Sequence, residues 1–170
     1  MINIAVLDEK DEKIFKVKLL SIMSQLGFDY INLNSKLKCD LCNYVILNST
    51  VLVKSEEIRC YHYLVNMDKV TENRNLVKGN LITYGYGSKN TITISSFEEE
   101  GSGFVYCIQR FINVNSSRVL EPQEIPILVH IDNEEHLYIY MVAITIALIE
   151  GMNSEEVRRK LYNNNLIYSV

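Results

Sequence analysis

The hydrophobic pattern of the first 27 residues predicts one strand followed by one helix. Residues 2–7 form a continuous apolar run, which is typical of a strand that is buried on both faces. Apolar residues then recur at helical spacing, at Phe15, Leu19, Ile22, Met23 and Leu26. Gly27 stands directly after this series, at the position where glycine commonly ends a helix. Residues 8–13 are therefore predicted to connect the strand and the helix.

The pattern of the remaining chain changes near residue 80. Before that point it predicts three short apolar strands, at residues 29–33, 44–47 and 61–65. After it the pattern predicts four strands separated by turn residues, at 81–84, 91–95, 104–109 and 125–131. Gly101 and Gly103 lie between two of these strands and predict a hairpin turn.

Two helices are predicted after the strands. The first covers residues 134–150 and ends at Gly151, and the second covers 153–161 with Asn153 or Ser154 as its N-cap. We therefore predict an α/β fold with a mostly parallel sheet flanked by helices. A hairpin-rich antiparallel segment is expected in the second half of the chain.

Length and charge narrow the class of protein. A chain of 170 residues is expected to form one domain that spans residues 1–170. Its formal net charge of −4 argues against a nucleic-acid-binding protein, which would carry a basic face. The longest apolar stretch, residues 137–149, is too short to cross a membrane, and the first residues lack the basic start of a signal peptide. A cytoplasmic protein without membrane insertion is expected.

The predicted loop at residues 8–13 has an unusual charge for its position. A nucleotide-binding enzyme places glycines, a lysine and a Ser or Thr between such a strand and helix, because they bind phosphate at the helix N-terminus. This loop has the sequence DEKDEK, with four carboxylates, two lysines and no glycine. The carboxylates would repel a phosphate. Alternatively, Asp8 or Asp11 simply caps a surface helix.

The segment that begins with this strand resembles the central, ATP-binding domain of Mur ligases, the enzymes that build the peptidoglycan precursor. That family opens with an apolar strand, a G-T-x-G-K-T/S loop and a helix that ends in glycine. IAVLDEKDEKIFKVKLLSIMSQLGF (4–28) has the same frame and the same loop length. In this frame Asp8 and Asp11 stand at the two glycines, Glu12 at the phosphate-binding lysine and Lys13 at the Thr/Ser. The resemblance implies a P-loop-like fold with an altered phosphate loop.

The resemblance to Mur ligases extends over most of the chain. The similar segments are NYVILNST (43–50), YLVNMDKV (63–70), LITYGYGSKNTITISS (81–96), GSGFVYCIQR (101–110), EHLYIYMVAITIALIEG (135–151) and NSEEVRRKL (153–161). Lys69 stands where the family has the second Asp of an N-x-D-D pattern. Glu135 and His136 replace a His-Asn pair, and Ile139 replaces a second Asn that helps to hold the nucleotide base. The resemblance therefore implies that the base-contact positions His136 and Ile139 are altered as well.

The altered loop predicts that the ligase activity of the family is lost. Phosphoryl transfer requires backbone donors, a lysine and bound magnesium to offset the charge of the phosphates, whereas Glu12 replaces a positive charge with a negative one. We therefore expect no catalytic residue and no cofactor. The resemblance implies a non-catalytic binding, regulatory or scaffold module linked to cell-wall precursor metabolism.

A protein partner or a homo-oligomer is expected for such a module. The family's two other domains are not in the sequence, and the surfaces that they would cover must be polar or bound by a partner. Four of the eleven tyrosines lie near the C-terminus, at Tyr138, Tyr140, Tyr162 and Tyr168. Because tyrosine is enriched in interfaces, these residues are interpreted as part of a contact surface.

An alternative is a small enzyme with a new active site. In parallel sheets the carboxyl ends of the strands meet in a cleft, which is the usual place for a ligand. The polar residues expected at this edge are Asp8, Asp11, Asn48, Asn66 and Asp68.

A third hypothesis is a zinc-stabilised adaptor. Cys39, Cys42, Cys60 and His62 supply three thiols and an imidazole, which together form a permissible zinc-ligand set. The alternative interpretation is that these cysteines are small buried hydrophobic residues beside strands.

Overall fold

The computed structural model describes residues 1–7, 12–34, 42–49, 58–70, 77–97 and 102–165. It contains ten strands and three helices in these ranges. The strands are β1 Ile2–Leu7, β2 Ile31–Asn34, β3 Cys42–Leu47, β4 Ile58–Asn66, β5 Val77–Tyr84, β6 Ile92–Phe97, β7 Phe104–Ile108, β8 Ile112–Asn115, β9 Arg118–Leu120 and β10 Gln123–Ile127. The helices are α1 Glu12–Gln25, α2 Glu134–Ile149 and α3 Ser154–Asn165.

Eight of the described strands form one sheet in the order β10-β7-β6-β5-β4-β3-β1-β2. Six adjacent strands, β2, β1, β3, β4, β5 and β6 in sheet order, are parallel to one another. β7 is antiparallel to both β6 and β10, as expected for the strands on either side of the predicted hairpin turn, of which Gly101 lies outside the described residues. β8 and β9 form a separate two-stranded antiparallel sheet. The predicted α/β fold with an antiparallel second half is therefore confirmed.

The three described helices pack on the same face of the large sheet. Alternate strand residues such as Ile4 and Val6 join the apolar residues of all three helices in the main core. Ala5 and Leu7 point to the opposite face, where they join a smaller buried cluster. No described helix is long and apolar enough to span a membrane.

Helix α2 lies at the centre of the main core. Every residue from Leu137 to Ile149 is buried, as expected for a helix that is apolar on all sides. The side chain of Asn133 caps its N-terminus by accepting a hydrogen bond from the His136 backbone N–H at 2.9 Å. At its C-terminus, Arg118 of β9 donates to the carbonyls of the last turn at 2.6 and 2.9 Å.

The helix ends follow the sequence signals closely. Gly27 and Gly151 have φ angles of +88° and +111°, the left-handed conformation that glycine adopts after a helix. At the start of α3, Asn153 Oδ1 accepts the Glu156 N–H at 2.9 Å, and Glu156 Oε2 accepts the Asn153 N–H at 3.1 Å. This reciprocal capping box identifies Asn153, rather than Ser154, as the N-cap.

Two features differ from the sequence-based expectations. The β8–β9 hairpin was not predicted, because its strands have only four and three residues and are partly polar. The interface interpretation of Tyr138 and Tyr140 is wrong, since both side chains are buried in the core of their own chain. Tyr162 is 46% exposed, and Tyr168 lies outside the described residues.

Candidate functional site

Polar side chains gather where the carboxyl ends of the central parallel strands meet the start of α2. Asn48 follows β3, Asn66 ends β4 and Tyr84 ends β5. Because α2 begins at this edge, its first residues reach the same side chains. We name this set the strand-end network: Asn48, Asn66, Asp68, Lys69, Tyr84, Glu134, Glu135 and Tyr138.

Asn48 is the centre of the strand-end network. Its side chain is fully buried, and its Nδ2 donates to Glu135 Oε1 at 2.6 Å. Its Oδ1 accepts from Asn66 Nδ2 and from the Tyr84 hydroxyl, both at 3.0 Å. Burying a polar group destabilises a fold unless the group is hydrogen-bonded. Asn48 supplies a hydrogen-bond acceptor for two other buried residues, Asn66 and Tyr84.

An ion pair closes the solvent side of the strand-end network. The Lys69 ammonium donates to Glu135 Oε2, while the other oxygen of the same carboxylate accepts from Asn48. The side chains of Lys69 and Glu135 are about one-third and one-quarter exposed. Lys69 Nζ also lies 5.1 Å from the centre of the Tyr138 ring, within the range of a cation–π contact. The positive charge is therefore already balanced within the network.

Asp68 links the β4 end to the turn after β5 and to α2. Its Oδ2 accepts from the Tyr86 backbone N–H at 2.8 Å and from the Tyr138 hydroxyl at 3.0 Å. The Tyr138 hydroxyl also lies 3.1 Å from Glu134 Oε1. Burial, followed by the hydrogen bond to Asp68, raises the pKa of Tyr138. The Tyr138 hydroxyl therefore keeps its proton and is a hydrogen-bond donor to the carboxylates at this edge.

The turn after β5 depends on a glycine. Gly85 has a φ of +141°, and a Cβ atom on it would lie 2.6 Å from Asp68 Oδ2. Glycine therefore allows both the left-handed backbone and the close approach of the Asp68 carboxylate. Residues 85–89 form the turn between β5 and β6.

The charges of the strand-end network do not favour an anionic ligand. It contains three carboxylates, of Asp68, Glu134 and Glu135, and one ammonium, of Lys69. The amide of Asn66 is also used within the network, because its Oδ1 accepts the Asp68 N–H at 3.0 Å. An incoming phosphate would meet net negative charge.

The structure describes the altered family positions only in part. Asp8 and Asp11 lie outside the described residues, Glu12 is the first residue of α1, and Lys13 is exposed. The prediction that this loop repels phosphate therefore stays a prediction.

The two predicted base-contact positions have different environments. Ile139 is fully buried in the main core. His136 packs on the Tyr140 ring at 5.0 Å, and its Nδ1 lies 3.2 Å from Asp132 Oδ2 without hydrogen-bond geometry. Burial, with a smaller contribution from Lys18, lowers the pKa of His136. The side chain of Ile139 is therefore packed against its own chain.

Of the residues considered for a new active site, Asn48, Asn66 and Asp68 are brought together by the fold. Lys69 and Glu135 were each recognised as altered family positions, but their pairing was not predicted. The opposite charges of the two replacements were the one hint of this pairing in the sequence, and they do not specify it by themselves.

The proposed zinc ligands are not all brought together. Cys42 and Cys60 are paired across β3 and β4 and belong to the smaller cluster on the far face of the sheet. His62 instead stacks on Tyr44, a residue of the main core, with 5.5 Å between ring centres. An irregularity in β4 between Arg59 and His62 explains why residues two apart face opposite sides. Cys39 lies outside the described residues, and the described ones contain no group of three potential metal ligands.

A second polar cluster lies near the C-terminal end of α2. The Tyr44 hydroxyl donates to Glu150 Oε1 at 2.5 Å, and burial is the main cause of its raised pKa. His62 Nε2 lies 3.3 Å from the Asn113 carbonyl oxygen, so the imidazole donates there when Nε2 carries the proton. Burial lowers the pKa of His62. The neutral imidazole is therefore the form that the fold favours.

Comparisons with known proteins identify the fold. No protein-family model and no curated protein sequence matches the chain. The chain is similar to a solved UDP-N-acetylmuramoyl-L-alanyl-D-glutamate–2,6-diaminopimelate ligase, with a TM-score of 0.59 and 9% identity over 95% of this chain and 46% of the ligase. MurF from Acinetobacter baumannii has a TM-score of 0.49 and 8% identity over 94% of this chain and 44% of MurF. The chain spans less than half the length of these ligases, and the first similarity confirms a Mur-ligase-like fold.

Proposed function

We propose that this protein is a non-catalytic, Mur-ligase-like module that binds a protein partner or a second copy of itself, in the cytoplasm, and regulates or organises cell-wall precursor metabolism. The observation that carries this proposal is the closed strand-end network. The side chains of Asn48 and Asn66 form hydrogen bonds with other residues of the network, and Lys69 is paired with Glu135. The link to cell-wall metabolism rests on the similarity in fold alone.

The strand-end network supports the absence of nucleotide binding through its charge. A nucleotide triphosphate needs backbone donors and uncompensated positive charge near its phosphates. The described residues at this edge offer Lys69, whose charge is balanced by Glu135, together with two further carboxylates, of Asp68 and Glu134. The proposal therefore predicts that the protein shows no saturable binding of ATP up to millimolar concentration.

Exposed apolar residues on α1 support an interaction role. Ile14, Val17 and Leu20 lie on successive turns and are 55%, 61% and 40% exposed. Phe15 and Leu19 of the same helix are fully buried, so α1 carries a second apolar stripe besides the one that faces the core. Contiguous exposed apolar surface is typical of protein–protein contacts.

The test is a calorimetric titration of the pure protein with ATP and magnesium. A solved Mur ligase serves as the positive control for the assay. We expect no saturable heat up to millimolar ATP. Micromolar binding would refute the proposal, and the substitution Lys69→Ala would then show whether the strand-end network is the site.

An enzyme with a repurposed site is the alternative that the convergence of Asn48, Asn66 and Asp68 favours. The complete burial of both asparagines argues against it, because a substrate could not reach their amides. A thermal-shift screen against small metabolites separates the two possibilities. A ligand whose stabilising effect disappears in Asp68→Asn would support the enzyme. The zinc hypothesis is tested separately, by metal analysis of untagged protein.

A further inference from the structure

A groove lies along one edge of the large sheet, between β10 and α3. β10 is the end strand of the described sheet, and α3 packs beside it. The groove is an open cavity of about 390 Å³. Its lining residues are Pro126, Leu128, Glu155, Arg158, Arg159 and Tyr162.

The apolar part of the groove is exposed to solvent. The side chains of Leu128 and Tyr162 are 49% and 46% exposed, and Pro126 of β10 is exposed as well. A half-exposed aromatic ring beside an aliphatic side chain is a favourable contact for an apolar group of a partner.

The charged part of the groove is locally positive. Arg158 and Arg159 are exposed and outnumber Glu155, whereas the whole chain has a formal net charge of −4. Guanidinium groups bind carboxylates in a bidentate, planar geometry. The charge of this groove is therefore complementary to an acidic ligand.

The wall formed by α3 is held in place before any partner binds. Val157 and Leu161 of α3 are buried in the main core, whereas Arg158 and Arg159 of the same helix are exposed. Lys160 Nζ donates to the carbonyl of Leu26 at the end of α1, at 2.7 Å. Because the helix is already fixed, binding in the groove carries no entropic cost for ordering it.

We propose that this groove binds an acidic segment of a partner protein. An apolar side chain of the segment lies between Leu128 and Tyr162, and its carboxylates pair with Arg158 and Arg159. This inference names a surface and a partner chemistry for the proposed binding role, on which it rests. The ATP titration tests the strand-end network and not the groove, so the two can fail independently.

The first experiment uses two fluorescein-labelled peptides, Glu-Glu-Leu-Phe-Glu-Glu and Lys-Lys-Leu-Phe-Lys-Lys, in fluorescence anisotropy at low salt. The expected result is saturable binding of the acidic peptide, with at least about tenfold weaker binding of the basic one, because charge selects the partner. Equal binding of the two peptides, or no binding of the acidic one, would overturn the proposal.

Two double variants with the same change in net charge test the position of the site. Arg158→Glu with Arg159→Glu is expected to weaken binding of the acidic peptide at least about tenfold. Lys13→Glu with Arg110→Glu alters two exposed residues outside the groove and is expected to stay within about twofold of the wild type. Equal loss in the two double variants would assign the effect to overall charge and refute the groove.

A third variant tests the apolar contact at constant charge. Tyr162→Ala is expected to weaken the binding of the acidic peptide about fivefold, since the substitution removes one wall of the groove. No change in this variant would contradict the proposed position of the apolar side chain.

Self-association of the wild type that disappears in the Arg158 and Arg159 double variant would assign the groove to a second copy and overturn the proposed partner. Circular dichroism and thermal unfolding confirm that each variant is folded.

Discussion

The replacement of Asn48 by alanine tests whether the strand-end network holds this edge of the sheet together. The substitution removes the hydrogen bond to Glu135 and the bonds that the buried Tyr84 hydroxyl and Asn66 amide donate to Asn48. A bond to a charged group contributes about 1.5–3 kcal/mol, and a buried unsatisfied group costs about 1–3 kcal/mol. Since neighbouring costs are not additive, we expect a loss of about 4 kcal/mol in the free energy of unfolding.

The assay is equilibrium unfolding in urea, followed by circular dichroism and analysed at constant m-value. Tyr84→Phe is the matched single variant, because it removes only the hydroxyl that donates to Asn48 and should cost about 1 kcal/mol. In Asn48→Ala the Tyr84 hydroxyl has already lost its bond to Asn48. Adding Tyr84→Phe to that variant should therefore cost less than the same substitution costs in the wild type.

The double-mutant cycle can refute this reasoning in two ways. Additive costs of Asn48→Ala and Tyr84→Phe would mean that the two side chains do not depend on each other. A cost below about 1 kcal/mol for Asn48→Ala would mean that solvent replaces its bonds, and that the strand-end network is not closed.

Gly85→Ala should destabilise the fold by about 2 kcal/mol or more, because it forces an alanine into a left-handed backbone and against the Asp68 carboxylate. Gly87→Ala is the control, since its Cβ meets the nearest atom at 3.4 Å, and it should stay within about 0.5 kcal/mol in the same urea assay. Burial lowers the pKa of His62, so the unfolded chain binds more protons below about pH 6.5, and the free energy of unfolding should fall between pH 7 and pH 5. His62→Phe should flatten this dependence, because it removes the imidazole whose pKa is lowered, and an unchanged slope in that variant would contradict the assignment.

Local patterns in the sequence were sufficient for the helices and most of the sheet. The uninterrupted apolar run of β1, the helical spacing in α1 and the glycines after α1 and α2 each depend on neighbouring residues only. These signals are direct consequences of burial and backbone geometry, so they could be read without knowing the fold.

The strand-end network could be predicted only in part. Asn48, Asn66 and Asp68 were placed at one edge by the rule that parallel strands share their carboxyl ends. The pairing of Lys69 with Glu135 joins residues 66 positions apart, and nothing local specifies it. Long-range packing of α2 against the sheet creates this contact.

The position of Cys60 relative to His62 in the hypothetical zinc set could not be read from the sequence for a different physical reason. Strict alternation along a strand places Cys60 and His62 on the same face. The irregularity in β4 between Arg59 and His62 breaks this alternation and separates them. A bulge of one residue has no reliable signature in a single sequence.

The all-round burial of α2 constrains how this protein can change during evolution. One inserted residue in a helix rotates everything beyond it by about 100°. In α2 such a rotation would turn Glu135 away from Lys69, or Glu150 away from Tyr44, with no exposed side to absorb the error. Related sequences should therefore keep the length of this segment fixed and tolerate insertions in turns such as the one between β8 and β9.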